Sequence, residues 1–415
     1  MSLSRSLWKR SPVLSWAAYD WANSAFATTV MAGFFPLFFK QYWAAGLESS
    51  TTTFMLGSIN ALASLLIVCF APLLGVVADK GGSRKRFLLY FALMGIVMTG
   101  ALSLVEQGGW VPALILYGLA VVGFLGSNIF YDALLLNVAQ EREFDYVSAL
   151  GFAFGYLGGG LLFALNVLMT LHPDFFGLPD AAAAVRLSFL LVALWWGLFS
   201  VPLLLYVDER APPSLGLREN IRSGIAQLRS TLGEVKALRQ VALFLLAYWL
   251  YIDGVDTIVR MAVDYGLALG FASNSLILAL LITQFVGFPA ALLFGHLGER
   301  YGPRKGILLA IAVYLLVVFW AYRMESEWEF YLLALIIGLV QGGVQSLSRS
   351  FYARLIPAGK AGEFFGFYNM LGKFAAILGP LLMGGVSLLT GSPRLSILSV
   401  ALLFIAGALV LLRVD

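Results

Sequence analysis

Apolar runs of roughly 20 residues recur along the chain, each closed by a short polar loop, and that is the length an α-helix needs to cross a bilayer. Twelve such runs can be placed, near 14–40, 54–77, 87–105, 111–136, 147–170, 187–207, 241–265, 274–296, 306–322, 330–353, 363–390 and 394–412. Backbone polar groups at bilayer depth must be satisfied within their own segment, so each run is expected to be helical and the protein an all-α integral membrane chain. Of its 415 residues, 60% are hydrophobic and 12% charged, where a soluble chain carries about a quarter charged residues. The first run is too long for a signal-peptide core and has no convincing cleavage site, so it is read as a transmembrane helix.

Most of the 27 Lys and Arg residues sit in every second loop: the N-terminus, "KGGSRKR", "QEREFD", the 208–240 connector, "ERYGPRK", "IPAGKAGE" and the C-terminal end. The opposite loops hold only Lys40, Arg186, Arg323 and Arg394. By the positive-inside rule both termini are expected in the cytoplasm. The net charge of +4 is therefore a topology signal, and no nucleic-acid partner is expected. Cys69 is the only cysteine and His172 and His296 the only histidines, so neither a disulfide framework nor a metal site nor a cofactor is expected. Nor is an enzyme expected, since no histidine pair, usable thiol or Ser–His arrangement falls at bilayer depth.

The chain repeats itself. Gly75, Asp79, Lys80, Gly82, Arg84 and Lys85 in "GVVADKGGSRKR" match Gly295, Glu299, Arg300, Gly302, Arg304 and Lys305 in "GHLGERYGPRKG" at one constant offset. Gly118 with Gly338, Gly123 with Gly343 and Glu143 with Glu363 continue the echo. The expectation is two six-helix bundles, 1–207 and 241–415, related by internal repeat. Between them, 208–240 opens as a Pro-containing linker and continues with apolar residues at helical spacing, either an amphipathic helix on the membrane surface or a solvated linker helix. In the repeated loop, glycine permits close helix approach, the acid can meet a neighbouring helix N-terminus, and the basic residues bind headgroups or lock the loop.

Twelve helices, a six-plus-six repeat and this glycine–acid–basic loop resemble the major facilitator superfamily over essentially the whole chain. Within it, "YDWANSAF" (Tyr19 to Phe26) and "YWLYIDGVDTI" (Tyr248 to Ile258) resemble the hallmarks of the vacuole-effluxer-like branch, which holds autophagy-related vacuolar amino-acid effluxers and bacterial relatives. The resemblance implies the major facilitator fold and secondary transport, with helices one, four, seven and ten lining a central cavity. It also implies that Asp79 steadies one conformation through the N-terminal end of helix eleven. Gly75, Asp79, Arg84, Gly295, Glu299 and Arg304 are the expected gating residues. Compact loops fit a bacterial member in the cytoplasmic (inner) membrane.

Ionisable side chains at bilayer depth are costly and mark sites or structural pairs. Helix one carries Asp20, Asn23 and Ser24 on one stripe; helix four has Asn128 and Asp132 a turn apart, beside Tyr131. Helix seven has Asp253, Asp256 and Arg260, helix ten Gln341, Gln345 and Arg349, and helix eleven Asn369 and Lys373. At ~1.5 Å per residue, Asp253 and Asp256 fall roughly 18–23 Å from the cytoplasmic end, near midplane, and Asp20 about 10 Å in. Asp20 is expected to titrate or to pair with a cation such as Arg349, or the two form a permanent structural pair. An unpartnered buried carboxylate favours its protonated form and pairing reverses this, an alternation that suits a proton-coupled carrier. Asp253, with Gly254 beside it, is the expected proton site, and Asp256–Arg260 a static pair. Asp132 suits gating or topology as well as proton transfer, and Lys373 can snorkel. Trp16, Trp43, Trp110, Trp328 and Tyr331 lie near helix ends and are read mostly as interfacial belt residues.

The leading expectation is a monomeric, proton-coupled secondary transporter that exports a small polar solute, an amino acid or related zwitterion. The alternatives are a larger amphipathic cargo, such as a muropeptide or lipid, and a non-transporting membrane sensor.

Overall fold

The computed structural model of the chain describes residues 10–81, 84–209, 238–268, 271, 273–357, 359–390 and 392–414. Among the described residues every regular element is a helix and there is no strand. In chain order the rods are α1 (Ser11–Trp43), α2 (Ser49–Gly81), α3 (Arg84–Leu102), α4 (Trp110–Val138), α5 (Phe144–Leu171) and α6 (Ala181–Tyr206). They continue with α7 (Arg239–Ala268), α8 (Ser273–Tyr301), α9 (Pro303–Arg323), α10 (Glu327–Leu355), α11 (Ala361–Thr390) and α12 (Pro393–Ser399 with Ala401–Leu411). Among the described residues ten helices are long and apolar enough to cross a membrane, or eleven when the two arms of α2, bent by 44°, count as one span. The twelve spans expected from hydropathy exceed that number. The surface helix expected within 208–240 lies almost wholly outside the described residues.

Helix contacts follow a doubled pattern. α1 packs on α5 and α6, α2 on α4, and α3 on α4 and α6. Six helices later, α7 packs on α11 and α12, α8 on α10, and α9 on α10 and α12. The two sets of six meet through α2 with α11 and through α5 with α8, which are again counterparts. Lipid gives no hydrophobic drive for helix association, so close van der Waals contact at small residues carries much of it. At the α3–α4 crossing a Cβ on Gly123 would lie 2.5 Å from the backbone nitrogen of Gly95. Any larger residue forces these helices apart.

The basic residues opening α3 and α9 perform matching tasks. Lys85 donates its Nζ to the Leu204 carbonyl at 2.9 Å and to the Val207 carbonyl, at the C-terminal end of α6. Arg304 donates to the Leu412 carbonyl at the end of α12. Both neutralise the negative end of a helix dipole and satisfy orphan carbonyls.

α1 is irregular where it matters. From Phe26 to Phe34 it widens into π-helical turns, and the Phe35 amide reaches back five residues to the Val30 carbonyl. Pro36 follows directly; its ring displaces the carbonyl four residues earlier, and a widened turn accommodates this. The widened stretch carries Thr28, Met31 and Ala32 into the centre of the molecule.

Candidate functional site

A cavity of about 600 Å³ lies between the two sets of six helices. α1, α2, α4 and α5 line it on one side and α7, α8, α10 and α11 on the other. It runs from Asp132, Arg349 and Asn369 near the basic-loop end to Asn60 and Tyr117, in the half of the bundle farther from those loops. Of the expected site residues, Asp20, Asn23, Asn128, Asp132, Asp256, Gln345 and Arg349 all line it. The helical periodicity of the polar stripes places them together, because residues three or four apart share a face.

The centre of the polar network is Arg349. Its Nη1 lies 3.0 Å from Asp132 Oδ1 and 3.7 Å from Asp20 Oδ2. Its Nε donates to the Ser148 hydroxyl at 2.9 Å and its Nη2 to the Ser148 carbonyl at 2.8 Å. Each acid has a further donor: the Tyr131 hydroxyl donates at 3.0 Å to the same Asp20 Oδ2 that faces Arg349, and Asn369 Nδ2 donates to Asp132 Oδ2 at 3.0 Å. Burying three charges demands such pairing, since a buried ion without partners is strongly penalised. Higher in the cavity, Asn23 donates to Asn128 Oδ1 at 2.6 Å, and Gln284 of α8 donates to Thr28 Oγ1 at 3.0 Å across the two halves.

Beneath this network, toward the basic loops, two further contacts join the halves. Asp79 at the end of α2 accepts from the Gly362 and Glu363 amides at 2.9 Å each, at the N-terminus of α11. Arg84 Nε holds the same carboxylate at 2.7 Å and reaches Asn137 Oδ1 at 3.0 Å. Gly75 makes the approach possible: a Cβ there would collide with the Gly362 carbonyl, and one on Gly362 would lie 2.7 Å from Asp79 Oδ1. On the opposite flank, Asp145 of α5 accepts a two-pronged bond from Arg354 of α10, at 2.7 and 3.0 Å. A Cβ on Gly295 would lie 2.6 Å from that of Ala149, so α8 and α5 also touch closely.

The repeat partners have diverged. Glu299, the counterpart of Asp79, is exposed and has no hydrogen bond or ion pair among the described residues. The α5–α8 flank instead closes through Asp145 and Arg354, which no motif in the repeated loop signals.

Asp253 is placed away from the cavity. It is fully buried, and its carboxylate accepts from the Leu378 and Gly379 amides of α11 at 3.1 and 2.9 Å and from the Thr257 hydroxyl at 3.3 Å. Pro380 comes next in α11, where a proline disturbs the hydrogen-bond ladder of the turn before it, and Asp253 serves the two amides there. The space expected beside Gly254 is filled: a Cβ on that glycine would lie 2.8 Å from the Phe404 ring. The backbones of Arg260 and Lys373 are helical, but their side chains lie outside the described set, and so does the expected Asp256–Arg260 pair.

Sequence reading missed the roles of Ser148, Asp145 and Arg354, which lie near helix ends and look like ordinary interfacial residues. It also placed Trp16 and Trp43 at the membrane interface, whereas both are fully buried. Trp16 stacks on Tyr131 with centroids 4.5 Å apart and donates its Nε1 to the Tyr131 carbonyl at 3.0 Å. A tryptophan near a helix end is buried whenever that end is covered by a neighbouring helix, as α4 covers the start of α1.

Comparison with known proteins agrees with this architecture. The model of the family "Vacuole effluxer Atg22 like" matches residues 42–144 and 137–415. The chain is 38% identical over 403 residues to "Uncharacterized MFS-type transporter YxiO" of Bacillus subtilis (strain 168), covering 96% of this chain and 93% of that protein. It is 26% identical over 426 residues to Autophagy-related protein 22 of Yarrowia lipolytica, covering 82% of this chain and 71% of that protein. Among solved structures it superposes on the human organic anion transporter MFSD10 with a TM-score of 0.70 at 19% identity, covering 97% of this chain and 99% of that one. The proton:xylose symporter XylE gives 0.73 at 14% identity, covering 98% and 94%. With its doubled helix bundle, its central polar cavity and a family match running from residue 42 to the end, the chain belongs to the vacuole effluxer Atg22-like family of major facilitator superfamily transporters.

Proposed function

We propose that the protein moves a small polar solute, an amino acid or related zwitterion, across the membrane by alternating access, in the direction of export and coupled to protons. The observation that carries this reading is a polar cavity between the halves, shut toward the basic loops by ion pairs and hydrogen bonds that cross from one half to the other. With those loops in the cytoplasm of a bacterial inner membrane, the conformation faces outward, the monomer is the working unit and the 1–207 and 241–415 units rock about the cavity. Asp20, Asp132 and Asp256 give the cavity acidic groups for an ammonium or a proton, and the carboxamides of Asn23, Asn128 and Gln345 give it orienting contacts. The efflux named in the family description supports, for this chain, movement outward. Purified protein in proteoliposomes tests it: an imposed pH gradient should drive labelled amino acid against its concentration, and no flux for any amino acid under any gradient sinks the reading, leaving the sensor.

A second reading, a larger amphipathic cargo, is favoured by one feature. An almost wholly apolar pocket of about 80 Å³ between α7, α8, α9 and α10 shares Val259 and Gln341 with the polar cavity. A cargo with a polar head and a short apolar branch would occupy both compartments. Competition of a muropeptide against amino-acid uptake separates the two.

A further inference from the structure

The Arg349 guanidinium belongs to α10, yet the side chains that form its immediate surroundings come from the first six helices. Trp16 and Asp20 come from α1, Tyr131 and Asp132 from α4, and Ser148 and Phe152 from α5. Two carboxylates, at 3.0 and 3.7 Å, supply the negative charge. The Ser148 hydroxyl and carbonyl accept two further N–H groups. Three aromatic faces enclose the rest, with the guanidinium carbon 4.4 Å from the Phe152 centroid, 4.8 Å from Trp16 and 5.4 Å from Tyr131. Acids, a hydroxyl, a carbonyl and aromatic faces together are the chemistry of an organic-cation cage.

The cage borders the transport cavity, since Asp20, Tyr131, Asp132 and Phe152 all line it. When the halves rock apart at the basic-loop end, Arg349 and Asn369 leave with the second half. The cage stays whole on the first, with Tyr131 still donating to Asp20. Two carboxylates at bilayer depth then lose their countercharge and need another.

We propose that this cage is the seat for a cationic group of the cargo, an ammonium or guanidinium, and that Arg349 is its tethered stand-in while the basic-loop side is shut. The inference rests on the transport reading above and names the part of the cargo that the site takes. A bare proton on either carboxylate would restore charge balance, but it would use neither the Ser148 carbonyl nor the three ring faces. A cation with N–H donors uses all of them. Cargo binding and closure of the basic-loop side are then mutually exclusive at this site, and cargo cation promotes opening by displacing Arg349.

The test uses the full chain in proteoliposomes with Cys69 replaced by serine and Ala149→Cys as reporter, since Ala149 is fully buried against Gly295 at the basic-loop end. Methylguanidinium and methylammonium should each raise maleimide labelling from that side several-fold, and neutral methylurea should leave it unchanged. The Asp20→Asn, Asp132→Asn double variant should lose the response. Separately, purified Arg349→Gln, whose cage has no tethered cation, should gain thermal stability with either cation and none with methylurea; Arg349→Met, equally uncharged, replaces it if the first variant does not fold. Equal effects of methylurea, or an Arg349→Gln protein stabilised by acidification alone and by neither cation, overturn the proposal. Neither readout requires net flux. Cation response without flux therefore counts against transport alone, and flux without cation response counts against the cage alone.

Discussion

Arg349 of α10 and Asp132 of α4 form an ion pair at 3.0 Å across the two halves of the molecule. Together with the Asp79–Gly362 and Asp145–Arg354 contacts, it makes the basic-loop end a three-point closure. Each point is electrostatic, each joins elements of opposite halves, and each can be removed singly.

Asp79→Asn should weaken one point. The amide keeps an oxygen for one of the Gly362 and Glu363 amides but loses the charge that both amides and Arg84 share. Charge-assisted bonds contribute about 1.5–3 kcal/mol each. The expected outcome is retained cargo binding, slower turnover and a population shifted toward opening at the basic-loop end, read by Ala149→Cys labelling. Unchanged exchange and unchanged labelling would remove Asp79 from the closure. Glu299→Gln, at an exposed position with no such partners, should do neither.

Asp145 is almost fully buried, so Arg354→Ala should cost the closed state more than Asp145→Ala. Removing the cation strands a buried carboxylate, a loss on the order of 3–5 kcal/mol. The charge-swapped pair, Asp145→Arg with Arg354→Asp, should recover part of it. If the swap is no better than the single variants, the pair is not coupled, and the closed state depends instead on the Ser350 hydroxyl, which donates to Asp145 Oδ1 at 2.5 Å, and on the surrounding packing.

Asp253→Asn is expected to act on stability rather than on coupling. The carboxylate serves two α11 amides, and its neutral substitute has a single acceptor oxygen. A fall in thermal stability with an unshifted pH profile of transport is expected. A mutant of normal stability that has lost uphill transport but retains exchange would restore Asp253 as the proton site.

Asp20→Asn should abolish proton-driven accumulation and leave exchange at equal pH measurable but with a weaker apparent cargo affinity, because Asp20 borders the cavity and holds Tyr131 and Arg349 at once. Full accumulation by this variant, with an unchanged pH dependence, would move the coupling site elsewhere.

Labelling also checks orientation. A cysteine at Gln107 should react from outside intact cells and one at Ser230 only after permeabilisation. Reaction at Ser230 from outside overturns the assignment of the basic loops to the cytoplasm.

Read alone, the residues carry the membrane setting, the helical class and the polar stripes of α1, α4, α7 and α10. These follow from local chemistry: apolar length, backbone satisfaction and a period of 3.6 residues. The Tyr19 to Phe26 and Tyr248 to Ile258 segments also point to the family. What local chemistry leaves open is which stripe faces which neighbour. Asp253 and Asp256 are one turn apart on α7, yet the first serves the Gly379 amide of α11 and the second borders the cavity. Likewise Glu299 has the acid of Asp79 but, among the described residues, no hydrogen bond from the α5 N-terminus packed against its helix, and the ion pair on that flank falls to Asp145 and Arg354. Tertiary packing alone made those choices, because the partner of a buried charge is set by which helix end lies within about 3 Å of it, and hydrogen-bond energy falls away steeply beyond that distance.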